Sequence, residues 1–214
     1  MAVLGIDLGG TKLALAIFSQ DGEILLKESF ALRNRKGPEV GKLITEKTVK
    51  FINYSNLQGN QINSIGISVP GISYIKTGTV WAPNISGWEN YSLLAEVKAV
   101  SGNIPVTIDS DRACYILGEL WKGNAQGCRD AIFLSVGTGI GAGILTDGKI
   151  LRGSNDISGC MGWMALKVPF EKKYARCGCF EYYASGEGIA NVAREFLEDQ
   201  KDYNGELKEK HIEK

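Results

Sequence analysis

Two glycine-rich stretches carry the residue types that bind phosphate groups. In the first, residues 3–12, an apolar run that favours a β-strand ends at a carboxylate and leads into two glycines, a threonine and a lysine. The candidate phosphate-binding residues there are Asp7, Gly9, Gly10, Thr11 and Lys12. We expect the glycines to permit backbone angles that a side chain would forbid, so that a tight turn points several N–H groups at phosphate oxygens. Asp7 could hold a hydrated divalent cation, although the same pattern is also typical of an ordinary hairpin turn.

The second stretch, residues 133–145, repeats the order of apolar strand, glycine turn with a threonine, and apolar strand. Its candidate residues are Gly137, Thr138, Gly139 and Gly141. An Asp-Gly pair follows each stretch, at residues 21–22 and 147–148, and such a pair is a strong hairpin signal. The repeat predicts a duplicated α/β core whose two glycine hairpins face one cleft. A cleft with two phosphate-binding turns suits a nucleoside triphosphate.

A third candidate is an acidic group between a predicted strand and a predicted helix. The apolar run at residues 104–108 ends at Asp109, Ser110 and Asp111, and a helical pattern follows at residues 112–121. A carboxylate at such a junction is held rigidly and projects into a cleft at the strand ends, so Asp111 could be a general base. The alternative is that one of these three residues only caps the helix.

Two loops between these motifs have the composition of a binding site for a polyhydroxylated ring. Residues 69–71 end a predicted strand with a proline and a glycine, which lets the backbone approach a ligand. Residues 80–88 combine two indoles with the carboxamide of Asn84. A plain turn and a pair of core tryptophans are the open alternatives for these loops.

The remaining pattern predicts strands and helices around these motifs. Further strands are expected at residues 25–32 and 62–68, an amphipathic helix at residues 39–54, and further helices at residues 91–100 and 182–197. Two more expectations are a buried strand or packed loop at residues 161–168 and a solvated, charged extension at residues 198–214.

Composition narrows the class of protein. The 24 basic and 24 acidic residues cancel, which gives no electrostatic argument for binding nucleic acid or an anionic membrane. No apolar run approaches the roughly 18 residues of a membrane-spanning helix, and the first residues lack the basic leader of a signal peptide. The five cysteines are odd in number and dispersed, which favours reduced thiols in a cytoplasm over a disulfide framework.

Cys177 and Cys179 suggest a metal site at first sight. They are separated by one residue, and the single histidine, His211, lies in a polar tail. Two thiols at this spacing lack the companion ligands of a tetrahedral zinc site. No structural zinc is therefore expected.

These motifs, in this order and spacing, resemble the ROK family of sugar kinases and transcriptional repressors, within the actin, Hsp70 and hexokinase superfamily. Residues 5–12 resemble the family's first phosphate motif and residues 136–143 its second, while residues 68–71, 82–88 and 118–123 match the pattern between them. The resemblance implies an α/β, ribonuclease H-like or actin-like ATPase fold that is duplicated. It implies a first domain at residues 1–118 and a second, C-terminally incomplete domain at residues 119–214.

The resemblance also implies a chemistry. Asp111 falls on the family's catalytic aspartate, and would deprotonate a sugar hydroxyl that attacks the γ-phosphate of ATP, with Mg²⁺ near Asp7. The implied sugar-contacting residues are Gly71, Asn84, Ser110, Asp111 and Glu181. The expected context is a cytoplasmic homodimer that acts on a small sugar and binds neither nucleic acid nor membrane.

The chain departs from the family's pattern at several of these positions. The asparagine before the catalytic aspartate is Ser110, a sugar-binding glutamate is replaced by Cys160, and a histidine that binds both sugar and zinc is replaced by Trp163. The three-cysteine zinc loop of the family is altered at Lys172, Tyr174 and Cys177. Kinases of the family also continue beyond the point where this chain stops.

Two functions are therefore open. The first is an ATP-dependent kinase of a hexose or hexose derivative with Asp111 as general base. The alternative is a non-catalytic module that binds a sugar or nucleotide, or a fragment of a kinase. The family's repressor branch is disfavoured, because its helix-turn-helix precedes the first phosphate motif and that motif begins here at residue 5.

Overall fold

The computed structural model describes residues 1–199 and Gly205. His211 and most of the extension expected at residues 198–214 lie outside the described residues. The chain forms two compact units. The first unit consists of Met1–Cys114 with Ser154–Asp156, and the second of Tyr115–Gly153 with the residues from Ile157 onward.

The first unit is built on a mixed sheet. Its strands are β1 (Ala2–Leu8), β2 (Lys12–Ser19), β3 (Ile24–Ala31), β4 (Ile62–Val69), β5 (Ile72–Tyr74), β6 (Thr79–Trp81) and β7 (Val106–Ser110). Its helices are α1 (Pro38–Leu57), α2 (Leu93–Ser101) and the start of α3 (Asp111–Lys122), which continues into the second unit. The main sheet has the order β3-β2-β1-β4-β7. Strands β1, β4 and β7 are parallel to one another, while β2 pairs antiparallel with β1, and β3 antiparallel with β2.

Alternating apolar residues explain how this sheet packs on its helices. Every second residue of β1 is buried, and Leu4 of β1 and Ile67 of β4 lie in one core with Ile44 and Phe51 of α1. Each such side chain contributes about 1.5–3 kcal/mol by leaving water. The helix starts at Pro38, where a missing N–H costs nothing because the first turn has no acceptor for it. The helix predicted at residues 39–54 lies within α1.

Register across the parallel strands brings polar residues into one row. Asp7 of β1 pairs with Ser68 of β4, and Ser68 pairs with Asp109 of β7. Paired residues of neighbouring parallel strands direct their side chains to the same face of the sheet. The three residues also lie near the carboxyl ends of their strands, which is the edge where open α/β sheets bind ligands. The register therefore places the candidate site of the first unit at this edge.

The second unit repeats part of the first. Its strands β8 (Ala131–Val136), β9 (Ile140–Thr146) and β10 (Lys149–Ile150) form an antiparallel sheet in the order β10-β9-β8, like β3-β2-β1. Two 3-10 turns, Met161–Trp163 and Lys172–Arg176, precede the helices α4 (Cys179–Ala184) and α5 (Gly186–Asp199). The predicted duplication of an α/β unit is thereby confirmed.

Three local predictions were wrong in detail. The single helix expected at residues 182–197 is two helices, because Ser185 is extended and its hydroxyl accepts the Gly188 N–H at 3.0 Å to start α5. Residues 161–168 form no buried strand, since Trp163 is 59% and Val168 93% exposed. The strand expected at residues 104–108 begins at Val106, because the preceding proline has no N–H to donate to a ladder.

In the part of the chain that the structure describes, no helix combines the length and the apolar character that crossing a bilayer requires.

Trp88 tests how loop 80–88 supports the first unit. Its ring is 1% exposed, it stacks on Tyr91 with ring centroids 4.3 Å apart, and its Nε1–H donates to the Gly37 carbonyl at 3.0 Å. Trp88→Phe should lower the free energy of unfolding by about 1–3 kcal/mol, because this bond and part of the ring volume are lost. Trp81→Phe is the matched control at a 38% exposed ring, with an expected change under about 0.5 kcal/mol. Equal losses in urea unfolding would contradict the assignment of Trp88 to the core.

Candidate active site

The turn between β1 and β2 is the first candidate phosphate-binding hairpin. One backbone hydrogen bond closes it, from the Gly9 N–H to the Lys12 carbonyl at 2.9 Å. The N–H groups of Gly10 and Thr11 have no acceptor among the described residues, and both residues are exposed. Consecutive N–H groups of this kind form a concave site for an anion. Asp7 and Lys12 are exposed on the two strands that flank the turn.

The turn between β8 and β9 has the same construction. The Gly137 N–H donates to the Gly139 carbonyl at 3.0 Å, and within the described part of the chain the N–H groups of Thr138 and Gly139 have no acceptor. The Gly137 carbonyl accepts the Gly186 N–H at 2.8 Å, which ties the turn to the start of α5. Each unit thus presents one turn with two adjacent N–H donors available.

The glycines of these turns serve a different purpose from the one expected. None of Gly9, Gly10, Gly137 and Gly139 has a positive φ, so the expectation of backbone angles forbidden to other residues was wrong. A Cβ built on Gly137 would meet no atom within 4 Å. The missing side chain instead leaves the neighbouring N–H groups uncovered, which permits close approach of a ligand. Gly141 lies inside β9 rather than in the turn.

Asp111 is the first residue of α3 and follows β7 directly. Its Oδ1 accepts the Arg112 N–H at 2.8 Å, and the residue is half-buried. Burial raises the pKa of the Asp111 carboxyl, and the charge of Asp7 adds to this, while the N–H and the charge of Arg112 oppose it. The helix is capped by Ser110, whose hydroxyl accepts the Ala113 N–H at 3.3 Å. The capping alternative therefore applies to Ser110, and Asp111 is left for other chemistry.

Arg112 is a residue to which sequence reasoning assigned no role. Its Nη2 donates to the Gly71 carbonyl at 3.1 Å, and its Nε is buried with no hydrogen-bond partner among the described residues. Gly71 has a φ of 101°, and a Cβ there would lie 2.2 Å from the Trp81 carbonyl oxygen, so only glycine fits this turn. The guanidinium joins the end of β4 to the start of α3 and sets a positive charge beside Asp111. The sequence signal that could have identified Arg112 is its position directly after the candidate base Asp111.

Cys114 is the second residue that sequence reasoning missed. Its thiol interacts with the Ser68 hydroxyl and lies within the field of Asp109, Asp111 and Asp7. Burial, followed by these carboxylates, raises the pKa of the Cys114 thiol to about 11. The thiol is therefore neutral near pH 7 and adds no negative charge to the site. Its spacing of three residues from Asp111 on a helix was the signal that could have found it.

Loop 80–88 contributes one polar side chain to this edge of the first unit. Asn84 is exposed, and a Cβ built on Gly10 would lie 3.6 Å from the Asn84 Cβ, so the loop lies beside the first hairpin. Of the two indoles, Trp88 is part of the core, as the alternative reading held, and Trp81 is exposed.

Glu181 on α4 is the candidate residue of the second unit. Its Oε2 accepts the Ile140 N–H at 2.6 Å, directly after the second hairpin turn. The carboxylate is enclosed, because a Cβ on Gly139 would lie 2.9 Å and a Cβ on Gly162 2.8 Å from the same oxygen. Glu181 therefore supports the second hairpin, in addition to the sugar contact that the resemblance implies.

The structure groups the sequence-predicted residues by unit. In the first unit, strand register and the contacts above associate Asp7, Gly9, Gly10, Thr11, Lys12, Gly71, Asn84 and Asp111. In the second unit, the turn and its support associate Gly137, Thr138, Gly139 and Glu181. Ser110 is buried with its hydroxyl engaged by the helix, while Cys160 is half-buried and Trp163 exposed.

Comparison with known proteins decides the family. The model of the ROK family matches residues 3–213. The chain belongs to the ROK family. Its α/β fold is the actin-like ATPase fold of ROK sugar kinases, as the resemblance implied.

Curated relatives of this ROK chain include both enzymes and regulators. It is 30% identical over 206 residues to the glucokinase of Halalkalibacterium halodurans, which covers 93% of this chain and 61% of that protein. It is 32% identical over 201 residues to the xylose repressor of Caldicellulosiruptor bescii, with 92% and 49% covered. The chain thus spans about half to three-fifths of the length of these relatives.

A solved structure of a ROK glucokinase is also similar to this chain and also extends beyond the matched region. The ROK glucokinase from Streptomyces griseus, in complex with glucose and AMPPNP, is 27% identical to this chain with a TM-score of 0.67. The match covers 94% of this chain and 63% of the glucokinase.

Gly162→Ala tests the enclosure of Glu181 in this ROK protein. The new methyl group would lie 2.8 Å from Glu181 Oε2 and 3.1 Å from the Ile140 carbonyl oxygen, so we expect the free energy of unfolding to fall by about 1–3 kcal/mol. Gly137→Ala is the matched control, with open space around its Cβ and an expected change within about 0.5 kcal/mol. Urea unfolding followed by circular dichroism compares the two. A neutral Gly162→Ala would contradict this packing.

The buried Asp111 carboxyl should make stability depend on pH. Because its pKa is raised in the folded state, its contribution to stability is present at acid pH and lost as the pH rises through the folded-state pKa. Asp111→Asn cannot ionise and should be more stable than the wild type at pH 7. The difference should vanish as the pH falls to the ordinary Asp value of about 3.9. Urea unfolding at several pH values measures it, and a more stable wild type at pH 7 would mean that Arg112 outweighs burial.

Proposed function

We propose that this ROK protein is an ATP-dependent sugar kinase that transfers the γ-phosphate to a hydroxyl of a hexose or hexose derivative. One observation carries the proposal. The strand register sets Asp7 beside Ser68 and Ser68 beside Asp109, and β7 then delivers a half-buried Asp111 to the same edge. A carboxylate that could act as base therefore lies at the strand edge that also carries the first candidate phosphate-binding turn.

The two hairpins are the proposed phosphate-binding elements. In each unit the available N–H groups, those of Gly10 and Thr11 in the first and those of Thr138 and Gly139 in the second, would donate to phosphate oxygens. Lys12 would add a cation beside the first turn. The Streptomyces griseus relative was solved with AMPPNP, which supports a nucleotide as the phosphate donor.

Mg²⁺ is the cofactor that this chemistry implies. Asp7 is an exposed carboxylate at the end of β1, next to the first hairpin, and such oxygens suit a hydrated Mg²⁺. The ion neutralises charge on the transferred phosphoryl group when it is bound. Asp7 would hold the ion through its carboxylate, and Asp111 would remain available for the sugar.

Asp111 is the proposed general base. It would accept the proton of the attacking sugar hydroxyl, and a raised pKa brings a carboxylate nearer to the working pH at which proton transfer is efficient. Arg112 would keep a useful fraction of the carboxylate ionised. Asn84 and the Gly71 turn would hydrogen-bond other hydroxyls of the ring, and Glu181 is the proposed sugar-contacting residue of the second unit.

The identity of the sugar should differ from the hexose preferred by the family. At two positions where the family binds sugar through charged or polar groups, this chain has Cys160 and Trp163. Each lost charged hydrogen bond weakens binding by about 1.5–3 kcal/mol. A ring that presents less polarity at these positions is the expected substrate. Action in the cytoplasm as a homodimer stays a prediction.

A non-catalytic sugar-binding module is the second candidate function. The observation that favours it is the xylose repressor relative, to which the chain is 32% identical over 201 residues. Such a module would bind a sugar without transferring phosphate. It would retain ligand-dependent thermal stabilisation and show no turnover.

The kinase proposal is tested by ADP release with Mg²⁺-ATP and a panel of hexoses and N-acetylhexosamines. Turnover with one sugar should fall at least about 100-fold in Asp111→Asn, because general base catalysis typically contributes this much or more. Asp21→Asn changes an exposed aspartate in the β2–β3 turn and is the control that should retain activity.

The outcomes separate the two functions. Sugar-dependent stabilisation with no turnover in the wild type would favour the binding module. Turnover that persists in Asp111→Asn would keep the kinase and remove Asp111 as its base.

A further inference from the structure

The segment that carries zinc in the family does not fit zinc in this chain. Within the described residues, no three His, Cys, Asp or Glu side chains are placed to hold a metal ion. Cys177 is half-buried with its Sγ 3.7 Å from the Gly178 carbonyl oxygen, and burial and the charge of Glu181 raise the pKa of its thiol. Cys179 is buried in α4. A tetrahedral zinc site requires four ligands that converge on one point, and the described residues of this segment provide no such set.

A different set of side chains occupies this part of the second unit. We call it the Lys173 cluster, and it consists of Glu171, Lys173, Tyr174, Tyr182, Tyr183 and Glu195. Its members come from the 3-10 turn Lys172–Arg176 with the residue before it, from α4 and from α5.

Lys173 is the centre of the cluster. Its Nζ lies 3.3 Å from carboxylate oxygens of both Glu171 and Glu195. It also lies 5.0 Å from the ring centroid of Tyr182, 5.7 Å from that of Tyr183 and 5.9 Å from that of Tyr174. A cation within about 6 Å of an aromatic ring is attracted by the electrons of its face.

Phenol hydroxyls close the network. The Tyr174 hydroxyl contacts Glu171 Oε1 at 2.5 Å and the Tyr183 hydroxyl at 2.7 Å, and the Tyr182 hydroxyl donates to Glu195. These bonds lower the pKa of Glu171 and Glu195, and the hydrogen bond to Glu195 raises the pKa of Tyr182 to about 12. The Glu171 and Glu195 carboxylates therefore stay charged near pH 7, and the Tyr182 phenol stays protonated and donates to Glu195.

The Lys173 cluster joins α4 to the preceding 3-10 turn and to α5. Tyr174 is 2% exposed and packs with edge-on or tilted geometry against Tyr182 and Tyr183, at centroid distances of 5.6 and 5.7 Å. Tyr182 and Tyr183 directly follow Glu181 on α4, and Glu181 Oε2 accepts the Ile140 N–H at the second hairpin. A shift of α4 would therefore break the bond that supports the hairpin.

We propose that the Lys173 cluster replaces a structural metal ion and is the positioning element for Glu181. A structural metal ion would cross-link the loop to the helices. Here the Lys173 ammonium group has that function, because it contacts two carboxylates and three aromatic rings from three segments of the chain. A contact between Glu181 and the sugar rests on the proposed function. The position of the Glu181 carboxylate at the Ile140 N–H is independent of the proposed function.

The first measurement concerns metal. The purified full chain should contain far less than one zinc per chain by elemental analysis, and EDTA should leave its melting temperature unchanged. Stoichiometric zinc together with a lower melting temperature in EDTA would overturn the proposal.

The second measurement concerns Lys173. Lys173→Met removes the charge at similar length and should lower the melting temperature by about 3 °C or more. Lys172→Met is the matched control on the neighbouring exposed lysine and should leave it unchanged, while Lys173→Arg should retain most of the stability. Equal melting temperatures of the two methionine variants would overturn the proposal that Lys173 is the stabilising centre of the cluster.

The third measurement isolates the position of Glu181. Amide hydrogen exchange at Ile140, whose N–H donates to Glu181, should be about tenfold faster in Lys173→Met, at a temperature where the variant is folded. The Ala142 N–H donates to the Gly159 carbonyl in the same unit at 2.8 Å and serves as the internal reference. Acceleration confined to Ile140 supports positioning, and equal acceleration at both amides would reduce the cluster to general stabilisation. This readout stands even if no sugar is phosphorylated.

Discussion

Parallel pairing of β1, β4 and β7 is the constraint on which the first unit's candidate site depends. Each ladder fixes where its strands end, so Asp7, Ser68 and Asp109 lie in one row at one edge of the sheet. Because β7 passes directly into α3, Asp111 arrives at that edge in the first turn of a helix. A slip of one residue in either ladder would move the row to the other face. Strand register, rather than any single loop, therefore decides the chemistry available there.

The second unit supports its hairpin by different means. Within the described residues, β8 has a paired neighbour on one side only, and its outward side chains Ile132, Leu134 and Val136 are exposed. Two hydrogen bonds to helical residues tie the turn instead: the Ile140 N–H donates to the Glu181 carboxylate, and the Gly186 N–H donates to the Gly137 carbonyl. The position of the second hairpin therefore depends on the positions of α4 and α5. The Lys173 cluster joins these two helices to each other and to the preceding 3-10 turn.

Opposing effects act on the ionisation of Asp111 at the strand edge of the first unit. Burial and the charge of Asp7 favour a neutral Asp111, whereas Arg112 and its backbone N–H favour the ionised form. Arg112 is itself held by the Gly71 carbonyl, so a backbone turn and a side-chain charge are coupled through one guanidinium. The neutral Cys114 thiol keeps a further negative charge out of this group. Such opposition suits a carboxylate that must exchange a proton.

The sequence by itself determined the family and the duplicated strand-turn-strand units, and it indicated the two glycine turns as candidate phosphate-binding elements and Asp111 as the candidate base. These follow from local order, since apolar alternation, Asp-Gly pairs and a carboxylate after a strand report on neighbours in the chain. Only the tertiary structure decided that Trp88 rather than Trp81 is core, and that Ser110 caps α3. It alone revealed the bond from Arg112 to Gly71, and the side chains that surround Lys173. The physical reason is that each of these depends on packing and hydrogen bonding in the folded chain, often between residues far apart in sequence, whose energies leave no periodic signal along it.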